Sequence, residues 1–214
     1  MDWVYDIETY PNCFTFTAIC ADNSRTQVYE CSSRKNDVSQ LFEFLDMLHD
    51  KKHRMVGFNN KGFDYPVLHA LLEVRAKAVT VSGKAVAKKA YKVAQDIISV
   101  QAEHNNIRLK EYVKQVDLFK IHHFDNKARA TSLKMIEFNM KSDSIEDLPF
   151  PVGTELTDSE IDVLLKYNMH DVVKTLDFYN ISLNAIRFRD ELSKKYKRDF
   201  TNHNDTKIGK DYFI

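Results

Sequence analysis

The sequence predicts an α/β fold built on a mixed sheet that opens as an antiparallel meander and is flanked by helices. Three observations point there. Short β-prone runs separated by turn signals open the chain, helical periodicity then alternates with further short apolar runs, and a long helical stretch occupies the last third.

Val4 to Ile7 reads as the first strand, and Tyr10-Pro11-Asn12 closes it with a turn signal. Cys13 to Cys20 is the second strand and Gln27 to Cys31 the third. Asn36-Asp37 starts a helix over Val38 to His49, with Leu41, Phe44, Leu45 and Leu48 at i, i+3, i+4, i+7 spacing. Arg54 to Phe58 is strand-like, and Asn59 to Asp64 is a polar, Gly-containing loop. Tyr65-Pro66 opens a helix through Val74, with Pro66 suited to its first turn. A helical insertion is expected at about 75–110, with a basic face of Lys84, Lys88, Lys89 and Lys92. That face is either a solvated helix surface or a track for a nucleic-acid backbone. Val116 to Phe119 resembles a strand, Ser132 to Met140 a helix, and Pro149 to Gly153 a loop. Thr157 with Glu160 forms a capping box for a helix from about Asp158 through Tyr179. The tail after Lys194 is polar. The opening meander is the pattern of a ribonuclease-H-like mixed sheet, and no GxGxxG follows the first strand to favour a dinucleotide binder.

The bulk numbers bound the function. The 214 residues fit one domain over 1–214, and 43% hydrophobic residues supply a core. A net charge of +0 argues against a tight non-specific nucleic-acid binder but not against an enzyme holding a few nucleotides around its own acids. Cys13, Cys20 and Cys31 form no CxxC pair, which fits free thiols in a reducing, cytoplasmic setting. His122 and His123 lack zinc-finger spacing from them. Met1-Asp2-Trp3 begins no signal peptide, and no run of 18 apolar residues predicts a membrane span.

Four acids carry the chemistry. Asp6 and Glu8 lie two apart on the first strand, so their side chains share a face. Like charges this close repel, and a divalent cation is the simplest remedy. The alternative is two solvent-facing acids at a strand edge. Asp64 taken alone reads as a helix N-cap. Asp171 follows Tyr167 by one turn in a helix rich in Ile161, Leu164, Leu165, Val172, Val173 and Leu176. An Asp in such surroundings is costly to bury unless paired or bound to a cation. Taken alone, it reads as an exposed acid beside Lys174 and Asp177.

In order, Asp6-Ile7-Glu8, Asn60-Lys61-Gly62-Phe63-Asp64 and Tyr167 through Asp171 resemble the three motifs of the DEDD exonuclease superfamily, tyrosine subclass. The histidine subclass places His five residues before the last Asp, where this chain has Lys166. The resemblance implies a 3′→5′ exonuclease acting by two-metal-ion catalysis. Asp6, Glu8 and Asp171 would hold a first cation, Asp6 would bridge to a second, and Asp64 would act on the second through water. Tyr167 would orient the attacking water. Oxygen-only ligands suit two Mg²⁺ or Mn²⁺ ions. Thr9, Asn60 and Phe63 are expected to contact the terminal nucleotides, with ordinary core packing as the other reading of Phe63. Asp117, on a strand-like run, is left out of the metal set.

Domains of this type commonly proofread for DNA polymerases. Thr131 to Lys134 and Asn204 to Lys210 add to a resemblance with the proofreading region of phage-type polymerases. No counterpart is assigned, around Leu148 to Val152, to the extra lysine that some protein-primed relatives use. The expected substrates are single-stranded DNA 3′ ends or frayed primer termini. A polymerase domain is expected in the same longer chain, since no polymerase motifs fit here and the chain stops abruptly at Phe213-Ile214. If phage-encoded, the protein would act in the host cytoplasm. Two other readings are a non-catalytic nucleic-acid- or partner-binding module on the same scaffold and a stand-alone RNA-directed exonuclease, the latter set by 2′-position contacts.

Overall fold

A computed structural model describes residues 1–102, 109–124, 131–140 and 147–213. Strands β1 (Asp2–Tyr10), β2 (Cys13–Cys20) and β3 (Thr26–Cys31) form the meander, and α1 (Val38–Asp50) leads into β4 (Arg54–Gly57). Helices α2 (Asp64–Glu73), α3 (Arg75–Ala78) and α4 (Gly83–Ala102) precede β5 (Lys114–Asp117). Then come α5 (Leu118–Ile121), α6 (Leu133–Asn139), α7 (Asp158–Tyr196) and α8 (Asp205–Phe213). The sheet order is β3-β2-β1-β4-β5. β1 pairs antiparallel with β2 and parallel with β4, so the sheet is mixed and ribonuclease-H-like, as expected.

Alternation along β1 sorts its side chains between two layers. Trp3, Tyr5 and Ile7 enter one core with α1, α2 and α4, while Val4 enters another with α5, α6 and α7. α1 docks through Leu41, Phe44, Leu45 and Leu48, all buried. Its N-cap Asp37 does not cap by side chain; Asp37 Oδ2 accepts instead from the Glu30 amide at 3.0 Å, tying the helix start to β3. The segment expected as an insertion packs on the sheet: Val86, Ala87, Ala90 and Ala94 of α4 are buried in the first core. Residues 103–108 of that segment lie outside the described residues. Gly83 at the start of α4 leaves no room for a side chain, since a Cβ there would lie 2.2 Å from the Lys35 carbonyl oxygen.

The boundaries of β1, β5 and α7 are among those that depart from the expectation. β1 extends to Asp2 and Tyr10, and the expected strand through Phe119 ends at Asp117. The Asp117 carboxylate accepts from the Phe119 and Lys120 amides, which turns the chain into α5. α7 has the expected Thr157–Glu160 capping box but runs on past Tyr179 to Tyr196, 39 residues in all. Its second half is held by polar contacts that apolar periodicity does not register. Arg54 bridges Asp190 at 2.7 Å and Asp2 at 2.7 Å, and Tyr179 donates to Asp2 at 2.8 Å. The fully buried Arg189 donates to the His203 carbonyl at 2.7 Å and to Asp205 at 2.7 Å, anchoring the start of α8 where a polar tail was expected. All three cysteines are buried free thiols, and among the described residues no helix is long and apolar enough to cross a membrane.

Candidate active site

Asp6 and Glu8 sit on the β1 face that α7 crosses. Asp171 is carried to them by α7, and ligand oxygens of the three residues lie within 4.8 Å of one another. All three are half-buried. Asp6 is held in place by Asn168, which is fully buried one turn before Asp171; its Nδ2 donates to Asp6 Oδ2 at 2.7 Å. Thr15 on β2 donates in turn to Asn168 Oδ1 at 3.3 Å.

Asp64 comes from the other side. β1 and β4 pair only as far as Val4 and Val56, because β4 ends at Gly57. Beyond that point the Ile7 amide faces Asp64 and donates to its Oδ1 at 3.3 Å. Asp64 is therefore not the cap that its position before Pro66 suggests; Phe63 holds that position without a side-chain bond. Asp64 lies close enough to Asp6 and Glu8 to push both carboxyls upward.

Electrostatics mark the four acids as a group. Burial, then Asp64, Glu8 and Asp171, push the Asp6 carboxyl well above its ordinary range, and only the Asn168 amide opposes them. Burial, then Asp171 and Asp64, do the same to Glu8. Burial raises Asp64 to about 7 and Asp171 to about 6. Such mutual repulsion is relieved by a divalent cation, and the donors are all carboxylate oxygens, which fits Mg²⁺ or Mn²⁺. Tyr167, buried one turn before Asp171, favours the ionised form of that carboxylate. Burial, Asp171 and Glu8 raise the phenol above its ordinary value, so it stays a proton donor.

The remaining sequence candidates separate. Asn60, expected at the nucleotide, is fully enclosed and donates to Gln115 Oε1 at 2.9 Å. Its placement commits it to the sheet edge and gives no route to a nucleotide. Phe63 is partly buried against the first core, and Thr9 is half-exposed at the end of β1. Asp117 is enclosed, accepting from the Asn59 and Lys61 amides as well as from α5. It fastens the loop before Asp64. Lys84, Lys88, Lys89 and Lys92 are exposed on a helix packed against the opposite sheet face, and Lys84 lies 3.6 Å from Glu155.

Sequence reasoning missed Asn168, Glu137 and His170. Helical spacing offered the only signal for Asn168, since i and i+3 share a face with Asp171. Lys134 of α6, noted only as part of a helix start, favours the ionised form of Asp171. Asn168→Ala is expected to weaken cation binding and activity roughly 10–100-fold, the usual cost of losing the partner that orients a ligand. Mn²⁺ titration of the variant checks this, and unchanged affinity would exclude the positioning role.

A family model described as a predicted 3′-5′ exonuclease related to the exonuclease domain of PolB matches residues 10–211, beginning just past Glu8. The solved structure of the family B DNA polymerase from the hyperthermophilic archaeon Pyrobaculum calidifontis is similar, with a TM-score of 0.51 at 18% identity over 85% of this chain. The match covers 24% of that polymerase chain, and at this identity the likeness is one of fold. No curated protein matches.

Proposed function

We propose that this chain, which belongs to the family of predicted 3′-5′ exonucleases related to the exonuclease domain of PolB, hydrolyses phosphodiester bonds at the 3′ end of DNA with two divalent cations held by Asp6, Glu8, Asp64 and Asp171. The observation that carries the reading is the convergence of Asp6, Glu8 and Asp171 within 4.8 Å, with Asp64 close enough to raise both Asp6 and Glu8. Bound there, Mg²⁺ or Mn²⁺ would supply the Lewis-acid and charge-neutralising chemistry that phosphodiester hydrolysis needs.

The chain's own residues divide the remaining work. Asn168 fixes one oxygen of Asp6 and so its orientation. The Ile7 amide does the same for Asp64. Tyr167 keeps its proton at neutral pH, so it acts as a donor that orients water rather than as a base. Thr9 and Phe63 are the candidates for the terminal nucleotide. The subclass is then the tyrosine one. The substrates are single-stranded 3′ ends or frayed primer termini, and proofreading for a polymerase domain of the same longer chain is the role.

Product analysis on 5′-labelled single-stranded and mismatched-primer DNA with Mg²⁺ tests this. Shortening from the 3′ end, faster on the mismatch, is the expected pattern. Binding with the strand left at full length would instead identify a non-catalytic module, and preference for an RNA strand would move the substrate. Tyr167→Phe is expected to slow hydrolysis on the order of 10²-fold, a size typical of a positioned proton donor, with little change in DNA affinity. Single-turnover rates and binding curves separate the two, and equal losses in both would exclude the water-orienting role.

A further inference from the structure

A second cluster, which contains neither Asp6 nor Glu8, uses the Asp171 carboxylate as well. Glu137 of α6 is 1% exposed, and its Oε2 accepts no hydrogen bond among the described residues. His170 Nε2 lies 3.6 Å from it. Ligand atoms of Glu137, His170 and Asp171 lie within 4.8 Å of one another. A 3.6 Å separation is too long for an N–H···O bond, which falls at about 2.7–3.2 Å. It matches the edge of a tetrahedral site, where two donors about 2.1 Å from a metal stand about 3.4 Å apart. The His170 side chain is 13% exposed, which leaves an ion a way in.

We propose that Glu137, His170 and Asp171 form a separate site for a borderline transition-metal cation such as Zn²⁺. One imidazole nitrogen with two carboxylates selects such ions over Mg²⁺. Because Asp171 belongs to both clusters, a cation at this outer site withdraws a ligand from the Asp6–Glu8 centre and inhibits it. The inhibitory consequence rests on the nuclease reading; the binding site does not.

Equilibrium dialysis of the full chain against Zn²⁺ in saturating Mg²⁺ tests the site directly. The wild type and Asp6→Asn are expected to bind one Zn²⁺ that resists Mg²⁺, and His170→Gln and Glu137→Gln each to lose at least tenfold in that affinity. Equal Zn²⁺ binding by wild type, His170→Gln and Glu137→Gln would overturn the proposal. Because both substitutions are near-isosteric and are read separately, misfolding of one leaves the other to decide. Imidazole NMR adds a readout independent of activity: one histidine resonance should move on adding Zn²⁺, and that resonance should be missing in His170→Gln. Zn²⁺ should inhibit Mg²⁺-dependent shortening of DNA by the wild type at concentrations at least tenfold below those needed for His170→Gln. A wild type that holds the extra Zn²⁺ yet never cuts DNA would uphold the site and refute the nuclease reading.

Discussion

Asp6→Asn is expected to reduce cation-dependent shortening of DNA to background while the fold persists. The amide keeps an oxygen to accept the bond from Asn168 Nδ2, now made at 2.7 Å, so no buried donor is left unpaired. What is lost is the charge at the meeting point of the four acids. Asp6 faces Asp64, Glu8 and Asp171, and removing it takes away the ligand that contacts both cation positions in the proposed arrangement. The loss should exceed the roughly 10–100-fold caused by removing a residue that merely orients a ligand. Above pH 7 the metal-free variant should melt no lower than the metal-free wild type, because one repelling charge is gone. Product analysis on 5′-labelled DNA, with melting by circular dichroism, checks both halves. Full activity in the variant would remove Asp6 from the chemistry.

The second large effect concerns the protein stripped of cations. Asp64 is raised to about 7 and Asp171 to about 6, against an ordinary Asp value of about 3.9. A carboxyl whose value is higher when folded favours folding in its protonated form. Its stabilising contribution is fully present below about pH 4 and is lost as pH rises through the folded values. In EDTA the site acids should therefore destabilise the fold progressively from about pH 4 to about 7. Buried Asp117, raised to about 6, acts in the same direction. His53, His122 and His203 are lowered by burial and act in the opposite direction, since folding favours their neutral forms. Comparing wild type with Asp64→Asn cancels the histidines: the melting-temperature gap should widen in favour of the variant from pH 5 to pH 8. Saturating Mn²⁺ should reverse the gap, since a cation at 100 times its Kd stabilises by about 2.7 kcal/mol. A gap independent of both pH and Mn²⁺ would show that Asp64 ionises freely and binds no cation.

Much of this was legible in local pattern, and the rest was hidden for identifiable reasons. β2 occupies the Cys13 to Cys20 run expected for it, because a β-prone stretch bounded by turn residues leaves little choice. The common face of Asp6 and Glu8 follows from strand alternation alone. Asn60 misled because an Asn in a polar, Gly-containing loop looks exposed. The absence of a side chain at Gly57 lets the loop fold back, so that a Cβ there would lie 2.7 Å from Asn60 Cβ. α8 and the far half of α7 were missed because Arg189, Asp190 and Tyr179 hold them by polar contacts distant in sequence, which periodicity does not register. Glu137 was invisible for the same reason: nothing in α6 announces that its acid turns inward toward α7.

The placement of α7 across β1 also sets an order of events during synthesis. Asn168 and Asp6 are 162 positions apart, so their contact closes one of the longest loops in the chain. A chain folding from its N-terminal end can complete the meander and α1 early, with Asp6 and Glu8 already on their strand. At that stage Asn168, Tyr167 and Asp171 do not yet exist. A half-made or truncated copy carries two acids on a sheet face and no enclosed site around them. The proposed hydrolytic competence would thereby be withheld until the last long helix has been made and laid down.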